Sequence, residues 1–135
     1  MTKHMIEGGC FCGKVRYRAS AEPIARTHCH CESCRRASGA PSVAWVIFAD
    51  DTLTIISGKP REHGSSEHVV RSFCGDCGTP LAYRSKRRPD LVDVPTATLD
   101  GPDAFAPERE IWTSEKLAWE TLNDTLPQFP RSSKG

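Results

Sequence analysis

The sequence predicts a mainly β, single-domain fold with little helix, built of several antiparallel strands around two zinc sites. Three observations predict it: β-branched and aromatic runs with period-two alternation, a scarcity of helical periodicity, and seven cysteines gathered in three tight clusters. At 135 residues the chain is of ordinary single-domain length. The domain is expected to occupy residues 1–130, with a disordered tail over 131–135.

Taken in order, Gly13 to Ala19 sets Val15, Tyr17 and Ala19 against Lys14, Arg16 and Arg18, the pattern of a strand with one buried face. Ser42–Phe48 and Thr52–Ser57 are β-branched or aromatic runs separated by Asp50 and Asp51, and a hairpin is the simplest reading. His68–Phe73 and Thr79–Ser85 predict two further strands joined through the Cys-Gly-Asp-Cys turn. Leu91–Leu99 is another candidate, which Pro95 would confine to a sheet edge or a bulge. Ser33–Ser38 has room for one or two helical turns, and Ser114–Glu120 for two, with Ser114 as N-cap. Trp45, Trp112 and Trp119 are read as core residues in preference to pocket walls. The proline- and serine-rich end, LPQFPRSSKG, reads as a strap.

Eighteen basic against 17 acidic side chains leave a formal net charge of +1, which points to no polyelectrolyte partner. The basic run Arg84–Pro89 lacks the interleaved aromatics that stack bases, so it is read as a solvated loop and no nucleic acid is expected. No signal-peptide h-region opens the chain, and the longest apolar run, Val43 to Ala49, is too short to span a bilayer. A soluble, cytoplasmic protein without a membrane partner is expected. In a reducing compartment, clustered cysteines are metal ligands more often than disulfide partners.

The clusters are Cys10-x-Cys12, Cys29-x-Cys31-x-x-Cys34 and Cys74-x-x-Cys77. Zinc–thiolate bonds of about 2.3 Å set tetrahedral sulfurs roughly 3.8 Å apart, so ligands must converge tightly. A C-x-x-C pair does this by turning around the metal, and Gly78 suits the left-handed end of such a turn. A C-x-C pair needs a local bend, for which Gly8, Gly9 and Gly13 give freedom.

Seven ligands divide most naturally as four plus three. The preferred partition joins Cys10, Cys12, Cys74 and Cys77 in a closed structural zinc site, leaving Cys29, Cys31 and Cys34 around a zinc with an open fourth position. The rival is a ribbon of Cys31, Cys34, Cys74 and Cys77 that leaves three cysteines without common purpose. His28 and His30 point away from the face that carries Cys29 and Cys31 if the stretch is extended, and so are expected behind the ligands. A three-thiolate zinc is a weak Lewis acid that prefers a soft fourth ligand, such as a substrate thiol presented to a small aldehyde. Arg35 and Arg36 follow the last ligand, where they can receive a substrate carboxylate, balance charge or simply face solvent.

The motifs GGCFCGKVRY, CHCESCRRASGAP, FCGDCGTPL and IWTSEKLAW with LPQFP resemble the glutathione-dependent formaldehyde-activating enzyme family, which includes centromere protein V. The resemblance runs from Gly8 to Pro130 and takes in every cysteine in order. It implies a β-tent fold with two Zn2+ per chain, divided as above, and a carbon–sulfur lyase-type activity in which glutathione adds to formaldehyde. Glu110 stands where many members carry a histidine. The leading expectation is thus an enzyme acting on a small-molecule thiol and an aldehyde. The alternative is a zinc-stabilised protein-binding or chaperone module without catalysis.

Overall fold

The structure, a computed structural model, describes residues 5–133. It is mainly β, with ten strands and one α-helix among those residues. Strands β1 (Ile6–Gly9), β2 (Arg16–Ala19) and β5 (Leu53–Ser57) form a small antiparallel sheet in the order β1-β2-β5. The larger sheet has seven: β3 (Ala25–Cys29), β4 (Val43–Ala49), β6 (Arg61–Ser66), β7 (Val69–Phe73), β8 (Pro80–Ser85), β9 (Leu91–Pro95) and β10 (Glu110–Ile111). Their order is β10-β3-β4-β9-β8-β7-β6. All pairs in it are antiparallel except β10 with β3.

Alternation along β4 divides the molecule. Val46 and Phe48 point to the main core, where they meet Ile6, Tyr17 and Ala19 of the small sheet and Val92 and Val94 of β9. Among these, each fully buried valine or phenylalanine stabilises the fold by about 1.5–3 kcal/mol. Trp45 points the other way, into a second cluster with Cys29, Cys34, Val43, Tyr83, Ile111 and Trp112. The seven-stranded sheet therefore carries the core on one face and three of the cysteines on the other.

Three local expectations are corrected. The Ser42–Phe48 and Thr52–Ser57 runs form no hairpin: β4 is paired on both edges by β3 and β9, and β5 pairs with β2 in the other sheet. A 3-10 turn at Asp50–Thr52, closed by the Thr52 hydroxyl on the Ala49 carbonyl, carries the chain across. Pro95 lies at neither an edge nor a bulge; it is the last residue of the interior strand β9, beside Trp45, and the chain leaves the sheet in a 3-10 turn at Thr96–Thr98. Ser114–Glu120 is not a two-turn helix. Only Thr113–Glu115 forms a 3-10 turn, because the Ser114 hydroxyl donates to the Pro130 carbonyl instead of capping a helix.

The segment Pro127–Arg131 is a strap. Phe129 N–H donates to the Glu110 carbonyl, Glu110 N–H to Pro127, and Trp112 N–H to Arg131. Of the expected tail, residues 134–135 lie outside the described residues. No helix among the described residues is long and apolar enough to cross a membrane.

Candidate metal centres

The first group is built where the β1–β2 turn meets the β7–β8 turn. Cys10 N–H donates to the Val15 carbonyl, and Gly13, at φ 82°, closes the tight turn around Cys12. Across from it the Cys74–Cys77 turn ends on Gly78 at φ 81°, whose N–H reaches the Cys74 carbonyl at 2.8 Å, as the sequence predicts for a left-handed position. The ligand atoms of Cys10, Cys12, Cys74 and Cys77 all lie within 4.8 Å of one another. Sulfur separations of 3.6 Å for Cys10–Cys12 and 3.7 Å for Cys12–Cys74 sit close to the roughly 3.8 Å of a tetrahedral thiolate zinc site. This is the preferred partition, and the rival ribbon of Cys31 and Cys34 with Cys74 and Cys77 is not assembled.

Thr79 ties the two limbs together, accepting the Phe11 N–H at 3.1 Å and lying 3.2 Å from the Cys77 sulfur. The Thr79 contacts hold the Cys77 thiol down to about 5. The backbone at Lys14 favours the Cys12 thiolate, but burial and the neighbouring sulfurs outweigh it and carry Cys12 up to about 12.

The second group lies on the opposite face of the large sheet. Cys29 ends β3, Cys31 caps α1 (Glu32–Ser38) by accepting the Cys34 N–H at 3.3 Å, and Cys34 is buried in the first turn. The Cys34 and Cys29 sulfurs are 3.5 Å apart, and all three ligand atoms lie within 4.8 Å of one another. Hydrogen bonds from Cys29 and Cys34 hold the Cys31 thiol down to about 2, with the charge of Arg71 helping, while Cys29 is pushed up. Cys34 gains from its bond to Cys29, yet Cys31 and burial raise it to about 11. Donor type and spacing again fit a soft dication, here with three protein ligands instead of four.

Behind Cys29 and Cys31 stands a third constellation. As expected from strand alternation, His28 points away from Cys29. Its Nδ1 lies 2.8 Å from Glu110 Oε1, and its Nε2 is 2.7 Å from the Ser42 hydroxyl. His30, wholly buried, donates through Nε2 to the same Glu110 oxygen at 2.7 Å, which leaves its Nδ1 as a buried atom without a partner. Register explains the meeting, since β10 runs parallel to β3 with Glu110 opposite His28 and Ile111 opposite Cys29. Burial acts to raise the Glu110 pKa, but the Asn123 N–H on Oε2 and the two imidazoles outweigh it and hold the carboxyl below its ordinary value. The three side chains are close enough to one another to be a ligand set in their own right. Their contacts tie the β10 carboxylate to the side chains on either side of Cys29.

Trp112 is the only residue other than glycine with positive φ among the described residues, at 56°, and it packs against the Cys29 cluster. Trp45 is buried as expected; Trp119 corrects the expectation, being 72% exposed. Of the two arginines singled out from the sequence, Arg36 pairs with Glu32 at 2.9 Å, while Arg35 keeps a buried Nε with no partner. In the basic run, Arg84 and Arg88 pair with Asp50 and Asp93. A cleft of about 340 Å³ lined by Lys14, Lys59, Arg61, Cys74 and Asp76 adjoins the four-cysteine group, and none of Cys29, Cys31 and Cys34 lines it.

The family model of the glutathione-dependent formaldehyde-activating enzyme matches residues 5–115. The chain belongs to this family. It is 30% identical over 115 residues to a Halomonas elongata protein whose name gives it, provisionally, that same activity, covering 78% of this chain and 72% of that one. An uncharacterized lyase of Schizosaccharomyces pombe is 29% identical over 90 residues, 65% of each chain. A crystal structure of a Rhodobacter sphaeroides protein shares the fold with a TM-score of 0.61 and 22% identity, over 75% of this chain and 96% of that one.

Sequence reasoning noted Glu110 without finding its partners, because they come together only through the parallel β10–β3 pairing. It missed Tyr83 and Arg71 altogether, since nothing in a strand's own sequence says which strand lies beside it.

Proposed function

We propose that this chain is a carbon–sulfur lyase-type enzyme that adds a thiol such as glutathione to formaldehyde or another small aldehyde, or cleaves the adduct. The observation that carries the reading is the contrast between two cysteine groups, one of four ligands and one of three, on a chain of this family. Cys10, Cys12, Cys74 and Cys77 would hold a structural zinc, and Cys29, Cys31 and Cys34 a second one. Bound there, a zinc ion supplies a soft, electrophilic fourth position that lowers the pKa of a substrate thiol.

The chain's own residues do the rest. The Glu110 carboxylate pins His28 and His30, and so fixes the peptide units that aim Cys29 and Cys31. Trp45, Tyr83 and Trp112 pack around the three sulfurs and exclude water from one side. In the forward reaction the thiol sulfur bonds to the aldehyde carbon, and the thiol's proton ends on the carbonyl oxygen.

Elemental analysis tests the division of ligands. Two zincs per chain are expected for the native sequence and one for Cys34→Ser; one zinc in both would overturn it. Adding glutathione to cobalt-substituted protein is expected to change the visible spectrum of one of the two metals. A spectrum indifferent to glutathione would favour the second reading, a zinc-stabilised binding module, for which the 93% exposed Phe11 and the exposed Trp119 speak.

A further inference from the structure

The three-cysteine group shares its sheet face with an arginine that pairs with no carboxylate among the described residues. Arg71 on β7 lies opposite Tyr83 on β8, and Tyr83 lies opposite Asp93 on β9. The row continues through Ile47 to Ala25 on β3, so all these side chains leave the sheet on the side of Trp45 and Cys29. Tyr83 packs against the Cys29, Cys34 and Trp45 cluster, its ring 6.0 Å from that of Trp45.

Two guanidinium groups flank the Tyr83 ring, Arg71 at 5.0 Å from its centroid and Arg88 at 5.8 Å. They differ in what neutralises them. Arg88 is bound to Asp93 at 2.7 Å, whereas Arg71 forms no ion pair among the described residues and is only half-buried. A half-buried guanidinium set against an aromatic ring, with no ion pair among the described residues, keeps its N–H fork available, and that fork matches the geometry of a carboxylate.

We propose that Arg71 is the anion receptor of the three-cysteine site, binding a carboxylate of the thiol whose sulfur meets Cys29, Cys31 and Cys34. This rests on the thiol-binding reading above and narrows its substrate to a thiol that carries a carboxylate. Arg71 is a specificity residue: it holds the far end of the substrate and takes no part in bond making. Tyr83 orients it. The other role open to Arg71, balancing the negative charge of three thiolates around a dication, makes a different prediction, because it is indifferent to charge on the substrate.

Calorimetric titration of the zinc-loaded full chain separates the two. The probes are glutathione and its diethyl ester, which keeps the thiol and loses both negative charges. Arg71→Met is expected to weaken glutathione binding by about 10- to 100-fold, the range of one charge-assisted hydrogen-bonded pair, and to leave ester binding within about threefold. Arg71→Lys, which keeps the charge without the fork, is expected between native and Arg71→Met. Zinc content measured on each sample shows whether the site is intact. Equal losses for thiol and ester, or a loss of zinc with either variant, would assign Arg71 to charge balance and overturn the proposal. If native protein binds neither compound, the thiol reading itself fails and this one with it.

Discussion

Glu110 concentrates more of the second site's architecture than any one of its ligands. It is 1% exposed, accepts two imidazole donors on one oxygen and takes a backbone N–H on the other. Its folded pKa is depressed, so its ionised form stabilises the fold above the ordinary carboxylate range, near pH 4.3, and that stability is lost as pH falls through the folded value. Replacing it by glutamine keeps shape but removes charge from both imidazole bonds, at a cost of about 1–3 kcal/mol at neutral pH. Comparing denaturant unfolding of native protein and Glu110→Gln from pH 7 downward should show the gap closing in acid. Metal content measured on both proteins at each pH separates this gap from any difference in metal retention. A gap that stays constant with pH would mean the carboxylate charge does not support the two histidines.

Individual elements were legible in the sequence to the extent that their burial leaves a period. The alternation over Gly13–Ala19 emerges as Arg16–Ala19, and the runs around Cys74 and Cys77 emerge as the antiparallel β7–β8 pair. Sequence alone could not show β6, Arg61–Ser66, which is exposed along its whole length at a sheet edge and has no buried face to leave a pattern. Partner choice was hidden for a related reason: β4 is buried on both sides, so nothing local distinguishes a hairpin with β5 from insertion between β3 and β9. The strap was readable as an extended, proline-rich segment, but what it covers was not. Because it supplies the outer hydrogen bonds of Glu110 and Trp112, deleting residues 127–135 is expected to speed amide exchange at those positions and in β3. It is also expected to lower metal retention at Cys29, Cys31 and Cys34, while Cys10, Cys12, Cys74 and Cys77 keep theirs. Unchanged exchange at Glu110 would show that β10 holds its place through β3 alone.

For the whole molecule, the two cysteine groups differ in what they connect. The four-cysteine group draws two ligands from the small-sheet turn and two from the β7–β8 turn of the large sheet, 62 residues apart for Cys12 and Cys74, and Cys10 and Cys74 are themselves part of the main core. The three-cysteine group draws all of its ligands from one six-residue stretch, so cutting it releases little chain. A metal in the first group therefore crosslinks the two sheets, and its binding energy is folding energy. Replacing Cys77 by serine should abolish the cooperative thermal transition or lower its midpoint by tens of degrees, whereas Cys34→Ser should move it by only a few degrees. Differential scanning calorimetry with and without a strong chelator measures both: chelation of native protein should reproduce the Cys77→Ser behaviour. If the two variants lose the same stability, the groups share the structural role, and the division into a site that holds the fold and a site that does chemistry must be abandoned.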